Sequence, residues 1–536
     1  MTSLYKVFNN KSLYSIILII LVIFLFIFYF YGFFKYNYTV APGDDNIRHM
    51  TEANYIINNG TFIAHAGSFD PPLFHILLAS LSLISGLSID LTTKIFAPLL
   101  AILSTLSIYF VSRRLFGSRY LSLIILALLI FLSPQPYQIY NDGTYLNLFG
   151  AGFLLIFSLS FLPPLLENDK INLKTILPFF IFSAALLLSH SLSATYFILI
   201  LAVYTIILLF KYRKLLFKKP NYLTALFFLG VLILPFTWKF YLNDSFQKIL
   251  STFGLRQISS TNILSLDFST INSIPNFDTY KWLLNYLPII LATFGLLFLF
   301  KIFKGKTHEN WLIISWFTAL FIGSRVNFFQ LPERFARDMA VVVTILSGVF
   351  IYKLFRENNR IYKFVIIVIF SMLVILYVPA KTNTATQYDS MVRVQSSDEK
   401  AMRWIKENTQ PDAIIMGMPR TIVAGDWGSY INIITGRTTI DGTLCPEEDR
   451  ACDHLYNPLS TNSIKYYLVN KIDYIYDGKP MVGSFISKNT IDWSYKDGFK
   501  KTPFLQKVSE FPESKLLGSV VIYKIDRDKL TALIEE

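Results

Sequence analysis

What this chain lacks most visibly is charge inside its long apolar stretches. No Asp, Glu, Lys, Arg or His falls at 12–34, 96–112, 121–133, 145–165, 175–189, 194–210, 221–238, 282–300, 310–324, 339–352 or 364–380. Charged residues make up 16% of the 536 and apolar ones 53%, a balance that excludes an ordinary soluble enzyme. The first stretch alone exceeds the roughly 20 apolar residues that cross a bilayer, and no small-residue cleavage site follows it, so it reads as a retained anchor. Eleven spans are expected. Their freedom from ionisable groups also argues against an ion-coupled transporter, which keeps such groups near mid-membrane at a cost of about 2.5–3.5 kcal/mol each.

Other absences narrow the chemistry. There are two cysteines, Cys445 and Cys452, enclosing "PEEDRA". An oxidising compartment would permit them to pair, although the spacing leaves the pairing open. No His/Cys cluster has zinc-site spacing, and there is no phosphate-cradling glycine loop, nucleophile elbow or fixed-period repeat.

The net charge of +13 has a topological origin. Up to residue 380 the chain holds 29 basic and 15 acidic residues, whereas 381–536 holds 20 and 21. With Pro71–Leu87 placed as a juxtamembrane or re-entrant helix on the outer face, 19 of those 29 cations fall in loops on the amino-terminal side. The positive-inside rule then makes the amino terminus cytoplasmic and the carboxy terminus extracytoplasmic, in the cell membrane. A topogenic excess is no argument for nucleic-acid binding. Residues 1–380 are therefore expected to form a multi-span domain with an outer loop at 35–95. In 381–536, "SSDEKAMRWIKENT", "DAIIM", "IDYIYD" and "GSVVIYKI" predict a mixed α/β soluble domain.

Ionisable groups collect in the outer loops. They include Asp44, Asp45, Arg48 and His49 in "GDDNIRHM", with Asp142, His190, Arg334 and Arg337 further on. An enzyme acting at the outer membrane surface on a lipid-linked substrate fits that distribution. A first span, an acidic outer loop, "DPPLFHILLA", a "YFVSRRLFGSRY" turn and a carboxy-terminal outer domain together resemble a GT-C glycosyltransferase. The nearest likeness is to the catalytic subunit of archaeal and bacterial oligosaccharyltransferase. Asp45 followed by Arg48 and His49 matches that family's first outer loop, and "YNDGTYLN" matches its second motif at Asp142, with Thr144 in place of the second acid. "PERFARD" places Arg334 and Phe335 where the family has an Arg-Phe pair. "AGDWG", with Asp426 and Trp427, corresponds to its W-W-D-Y-G signature, but Ala424 and Gly425 replace the paired Trp residues. No Glu occurs between Lys239 and Tyr280 to stand for the family's loop glutamate. The departures favour a related glycosyltransferase over a true oligosaccharyltransferase.

The resemblance implies a sugar donor linked to polyprenyl phosphate, membrane lipid around the site, and a lipid, glycan or protein acceptor. Sugar transfer from a phosphate leaving group needs an acceptor hydroxyl oriented or deprotonated, which a carboxylate does. Asp45 is the expected base, with Asp44 beside it. Asp45 and Asp142 are the candidate ligands of a divalent cation, Mg2+ or Mn2+. Arg334 and Arg337 suit a phosphate, since guanidinium matches two of its oxygens. Arg48, His49, His190, Asp426 and Trp427 complete the expected substrate-binding set. Each has a plainer use, such as a solvated acid, an interfacial hydrogen bond, an ion pair with Glu333 or Asp338, or a helix cap. A lipid-linked sugar transporter and a catalytically dead scaffold stand as alternatives; the first should show broken or charged helices in repeat-related pairs.

Overall fold

A computed structural model describes residues 11–36, 40–43, 45–61, 71–135, 137–167, 172–216, 220–227, 229–230, 275–326, 332–356, 396–417, 430–441, 458–477, 499, 501–512 and 520–535. In chain order the helices of the first part are α1 (Lys11–Tyr36), α2 (Asn46–Asn59), α3 (Leu73–Ser85), α4 (Ile89–Phe116), α5 (Arg119–Leu132), α6 (Tyr137–Asn141) and α7 (Tyr145–Phe149). A π-helical turn, Gly150–Leu155, leads from α7 into α8 (Ile156–Ser160) and α9 (Leu162–Glu167). Then come α10 (Leu173–Leu187), α11 (Ser191–Leu216), α12 (Phe277–Leu284), α13 (Tyr286–Ile302), α14 (Thr307–Arg325), α15 (Pro332–Asp338) and α16 (Ala340–Arg356).

The protein is a polytopic membrane protein whose helices follow the apolar stretches. Among the described residues, Tyr14–Tyr31, Ile89–Phe116, Tyr145–Glu167, Ser191–Lys211 and Pro332–Arg356 are long and apolar enough to cross, and four shorter apolar helices accompany them. The expected stretch 364–380 and half of 221–238 lie outside the described residues. Lipid-facing apolar side chains such as Ile19, Ile27 and Phe110 stay exposed, because the hydrocarbon of the bilayer is their solvent. Where helices meet, small residues let backbones approach. A Cβ on Gly295 of α13 would fall 1.9 Å from the Leu346 carbonyl oxygen of α16.

Helix α3 has 13 residues, about 20 Å at 1.5 Å per residue, too short for a bilayer core of about 30 Å. It packs Phe74, His75, Leu78, Ala79 and Ser82 inward, leaving Leu83 and Ile84 exposed.

The carboxy-terminal part comprises α17 (Ser396–Asn408), β1 (Ile414–Gly417), α18 (Tyr430–Thr435), β2 (Thr438–Asp441), α19 (Thr461–Val469), β3 (Tyr474–Asp477), β4 (Leu505–Phe511), β5 (Val520–Ile525) and α20 (Arg527–Glu535). The sheet order is β2-β1-β3-β5-β4. Strand β1 runs parallel to β2 and β3, while β5 is antiparallel to both β3 and β4. Arg437 closes the end of α17 by donating to the carbonyls of Lys406 and Thr409, a favourable place for a cation at a helix C-terminus.

The two parts share a core. Val40, Ile47, Met50 and Ala53 around α2, with Leu78 and Ala79 of α3, cluster with Ala401, Met402 and Ile405 of α17, Tyr430 and Ile431 of α18, and Ile522 of β5. This layer joins the α/β domain to one end of the helical bundle. The bundle's own core, from Leu21 through Trp316 to Val349, is a separate cluster.

Candidate active site

Two loops that the chain order separates by about 100 residues meet at that end. Gly43, at φ +96°, and Gly143, at φ +75°, adopt backbone conformations that side chains rarely take. A Cβ on Gly43 would lie 2.0 Å from the Gly143 nitrogen, so the main chains touch in a way only glycine permits. Tyr145 at the start of α7 donates its hydroxyl to the Pro42 carbonyl, and Asn46 donates to the Ala41 carbonyl at 2.9 Å, holding the first loop in place. The contact brings the segment before Asp45 against the segment after Asp142.

Asp45 occupies the N-cap position of α2, yet its side chain makes no capping hydrogen bond. It is half-buried, and with Tyr430 of the α/β domain it lies within electrostatic reach of the Tyr145 hydroxyl. Asp142 follows α6, its side chain 46% exposed and 3.9 Å from Nη1 of Arg337. Arg337 is buried in α15, with its Nε 3.5 Å from Oδ1 of Asp338. Asn147 of α7 donates to the other oxygen of Asp338 at 3.5 Å. The guanidinium thus spans two carboxylates, one exposed and one buried. Arg334, one turn earlier in α15, is half-buried. Of the two arginines expected to meet a phosphate, Arg337 is the one that pairs with Asp142.

Thr144, which stands where the related motif has a second acid, is buried and gives its hydroxyl to the Ile139 carbonyl at 3.1 Å. That position serves the turn.

Behind the acidic loops lies a histidine cluster. His49 Nδ1 is 3.1 Å from Nε2 of His75, and His75 Nδ1 is 3.9 Å from Glu52. Arg48 Nε lies 3.8 Å from the same carboxylate. His49 and His75 are both buried. Burial pushes the His49 pKa well below the ordinary histidine value, and the positive potential of His75, Arg48 and His190 adds to the effect, with the backbone of Gly143 acting the other way. His49 is therefore neutral at pH 7. His190 bonds Ser193 at 2.6 Å, at the turn where the Leu188 carbonyl accepts from the Leu73 amide of α3. His75, Glu52, Gly43, Gly143 and Tyr145 were not among the expected site residues; the glycine beside each acid, in "PGDD" and "NDG", was the available signal.

Asp44, Asp426, Trp427, Cys445 and Cys452 lie outside the described residues. Among the described residues no group of three His, Cys, Asp or Glu side chains has metal-site geometry. A hard cation of the Mg2+ kind asks less of the protein, one or two carboxylates with substrate phosphate supplying the rest.

The architecture has known counterparts. The archaeal oligosaccharyltransferase AglB from Archaeoglobus fulgidus, solved with an inhibitory peptide and a dolichol-phosphate, matches 88% of this chain and 70% of its own at TM-score 0.55 and 13% identity. ArnT from Cupriavidus metallidurans in the apo state matches 96% of this chain and 98% of its own at TM-score 0.56 and 13% identity. The arabinofuranosyltransferase AftD from Mycobacteria matches 96% of this chain but 41% of its own length, at TM-score 0.54 and 13% identity. All three have the GT-C fold, and so does this chain. No curated protein sequence matches. One family model matches residues 9–325, and its description is a family of unknown function, DUF6541.

Proposed function

This chain is a member of the DUF6541 family built on the GT-C fold, and from that premise we propose that it is an integral-membrane glycosyltransferase. In this reading it takes a sugar from a polyprenyl-phosphate-linked donor and passes it to a lipid, glycan or protein acceptor on the extracytoplasmic face. The amino terminus is then cytoplasmic and the α/β domain outside. The observation that carries the reading is the backbone contact at Gly43 and Gly143, which joins the loops of Asp45 and Asp142 beside buried Arg337.

Fold likeness alone names no substrate, so the chemistry must come from these groups. Asp45 accepts the proton of the acceptor hydroxyl as its oxygen attacks the anomeric carbon of the donor sugar. The bond from that carbon to the carrier phosphate breaks, and the phosphate leaves with the electron pair. Arg334, half-buried and one turn from the paired Arg337, offers the leaving phosphate a guanidinium. Asp45 and Asp142 are the residues that would hold Mg2+ or Mn2+, whose charge would offset that of the phosphate. Neutral His49, fixed through His75, supports the Asp142 loop from behind without adding charge.

The test is transfer by purified protein in lipid, from a panel of radiolabelled polyprenyl-phosphate sugars, with carrier binding followed in parallel. Loss of turnover in Asp45→Asn with carrier binding kept is the expected result. Tight carrier binding with no turnover from any donor would reject the transferase in favour of a transporter or scaffold.

A further inference from the structure

We propose that the end of the bundle opposite the candidate active site holds a binding cleft for a phosphate-bearing anion, its walls fitted to a phospholipid headgroup. Helix α4 relates the two ends. It begins at Ile89, in the core shared with the α/β domain, and finishes 27 residues later at Phe116, about 40 Å away, close to the thickness of a bilayer with its headgroups. Arg119 at the start of α5 and Arg356 at the end of α16 line this second end together with Arg113 of α4. The three arginines line a cleft of about 600 Å3, within the usual range of small-molecule sites.

Their present contacts are with a backbone carbonyl and with aromatic rings. Arg113 donates to the Gly117 carbonyl, while Arg119 lies over the Tyr14 ring at 5.7 Å and Arg356 over Tyr352 at 5.9 Å. No ion pair joins any of the three to a carboxylate among the described residues. Neighbouring Arg114 donates to the Ser160 carbonyl, packs its guanidinium 3.9 Å from the Phe161 ring centre and has Glu167 within electrostatic reach.

The helix dipole accounts for two of the three. Arg113 and Arg356 are in the last turns of α4 and α16, where a cation is favoured. Arg119 is the first residue of α5, and that first turn contains no acid, so its charge opposes the dipole. An anion held between Arg119 and its two neighbours reverses that penalty. Half-buried Tyr120, Ile302 and Tyr352 line the same cleft and offer apolar surface that acyl chains would cover and a free anion would not. Basic pockets between membrane helices bind acidic headgroups by this combination.

The experiment uses the full chain in detergent, titrated separately with phosphatidylglycerol, phosphatidylcholine and inorganic phosphate, and read by native mass spectrometry and thermal unfolding. One retained phosphatidylglycerol, raising the melting temperature, is expected, with about tenfold weaker retention in Arg119→Gln or Arg356→Gln. Arg119→Lys keeps the topogenic charge but loses the two-pronged contact, and falls between. Lys174→Gln, an exposed cation elsewhere, changes nothing. Saturable binding of inorganic phosphate with the same arginine dependence and no lipid retention would overturn the headgroup and leave a free-anion site. Lipid retention that is the same in every variant would overturn the cleft altogether.

Discussion

The two ends of this helical bundle use arginine in opposite ways. At the end beneath the α/β domain, Arg48 lies against Glu52, and Arg337 lies between Asp142 and Asp338. At the other end Arg119 and Arg356 are exposed, and Arg113, Arg119 and Arg356 pair with no carboxylate among the described residues. Desolvation explains the difference. A buried guanidinium must have partners, so each matched arginine fixes the geometry of the carboxylate it faces. An exposed one keeps its water, and its charge stays available for topology and for ligands. Position relative to solvent, more than residue type, decides whether an arginine builds a site or waits for an anion.

The largest effect is expected from breaking the matched end directly. Arg337→Leu leaves Asp338 buried without its cation and should cost about 3 kcal/mol in unfolding free energy, measured by denaturant melts in detergent. An unchanged midpoint would mean that the pair holds nothing together. Next comes the glycine contact. Gly43→Ala forces a side chain into a left-handed conformation, a strain of roughly 1–3 kcal/mol, and separates the acidic loops. A displacement of about 1 Å at reacting groups costs on the order of 100-fold in rate, so transfer should fall by about that factor while carrier binding persists.

A pH series sharpens the comparison further. His49 has a depressed pKa in the folded protein, so the unfolded chain takes up the proton first as pH falls. Stability from this group is complete above the unfolded value of about 6.5 and is lost below it, at up to about 1.4 kcal/mol per pH unit. Melting temperature should drop between pH 7 and 5 in the wild type, with a shallower fall in His49→Gln. The smallest effect belongs to the unmatched end. With no lipid added, Arg119→Gln should leave stability within about 0.5 kcal/mol, because its side chain is exposed and unpaired with any described acid.

Much of the fold was legible because a bilayer imposes a strict rule on sequence. Uncharged runs of about 20 residues have few alternatives to a spanning helix, and runs such as 96–112 and 194–210 lie within α4 and α11. The β-rich composition of "DAIIM" and "GSVVIYKI" likewise located β1 and β5. The expected site was legible as a set of residue types more than as an arrangement. Asp45 and Asp142 could be named from motifs. Arg334 and Arg337 could both be named as cations for a phosphate, but that Arg337 faces Asp142 depends on which face of α15 turns inward. The pairing of His49 with His75 was hidden as well, since residues 26 apart on two helices carry no local signature of contact.

By itself, then, the sequence determined which segments enter the membrane and which ionisable groups stay out of it. Local composition suffices for that, because the transfer of each segment into hydrocarbon depends chiefly on its own side chains. Tertiary structure alone decided which of those excluded groups meet. Whether a carboxylate faces an arginine, or one glycine touches another, depends on the approach of elements far apart in the chain. That approach is set by the packing of the bundle core and by the layer it shares with the α/β domain.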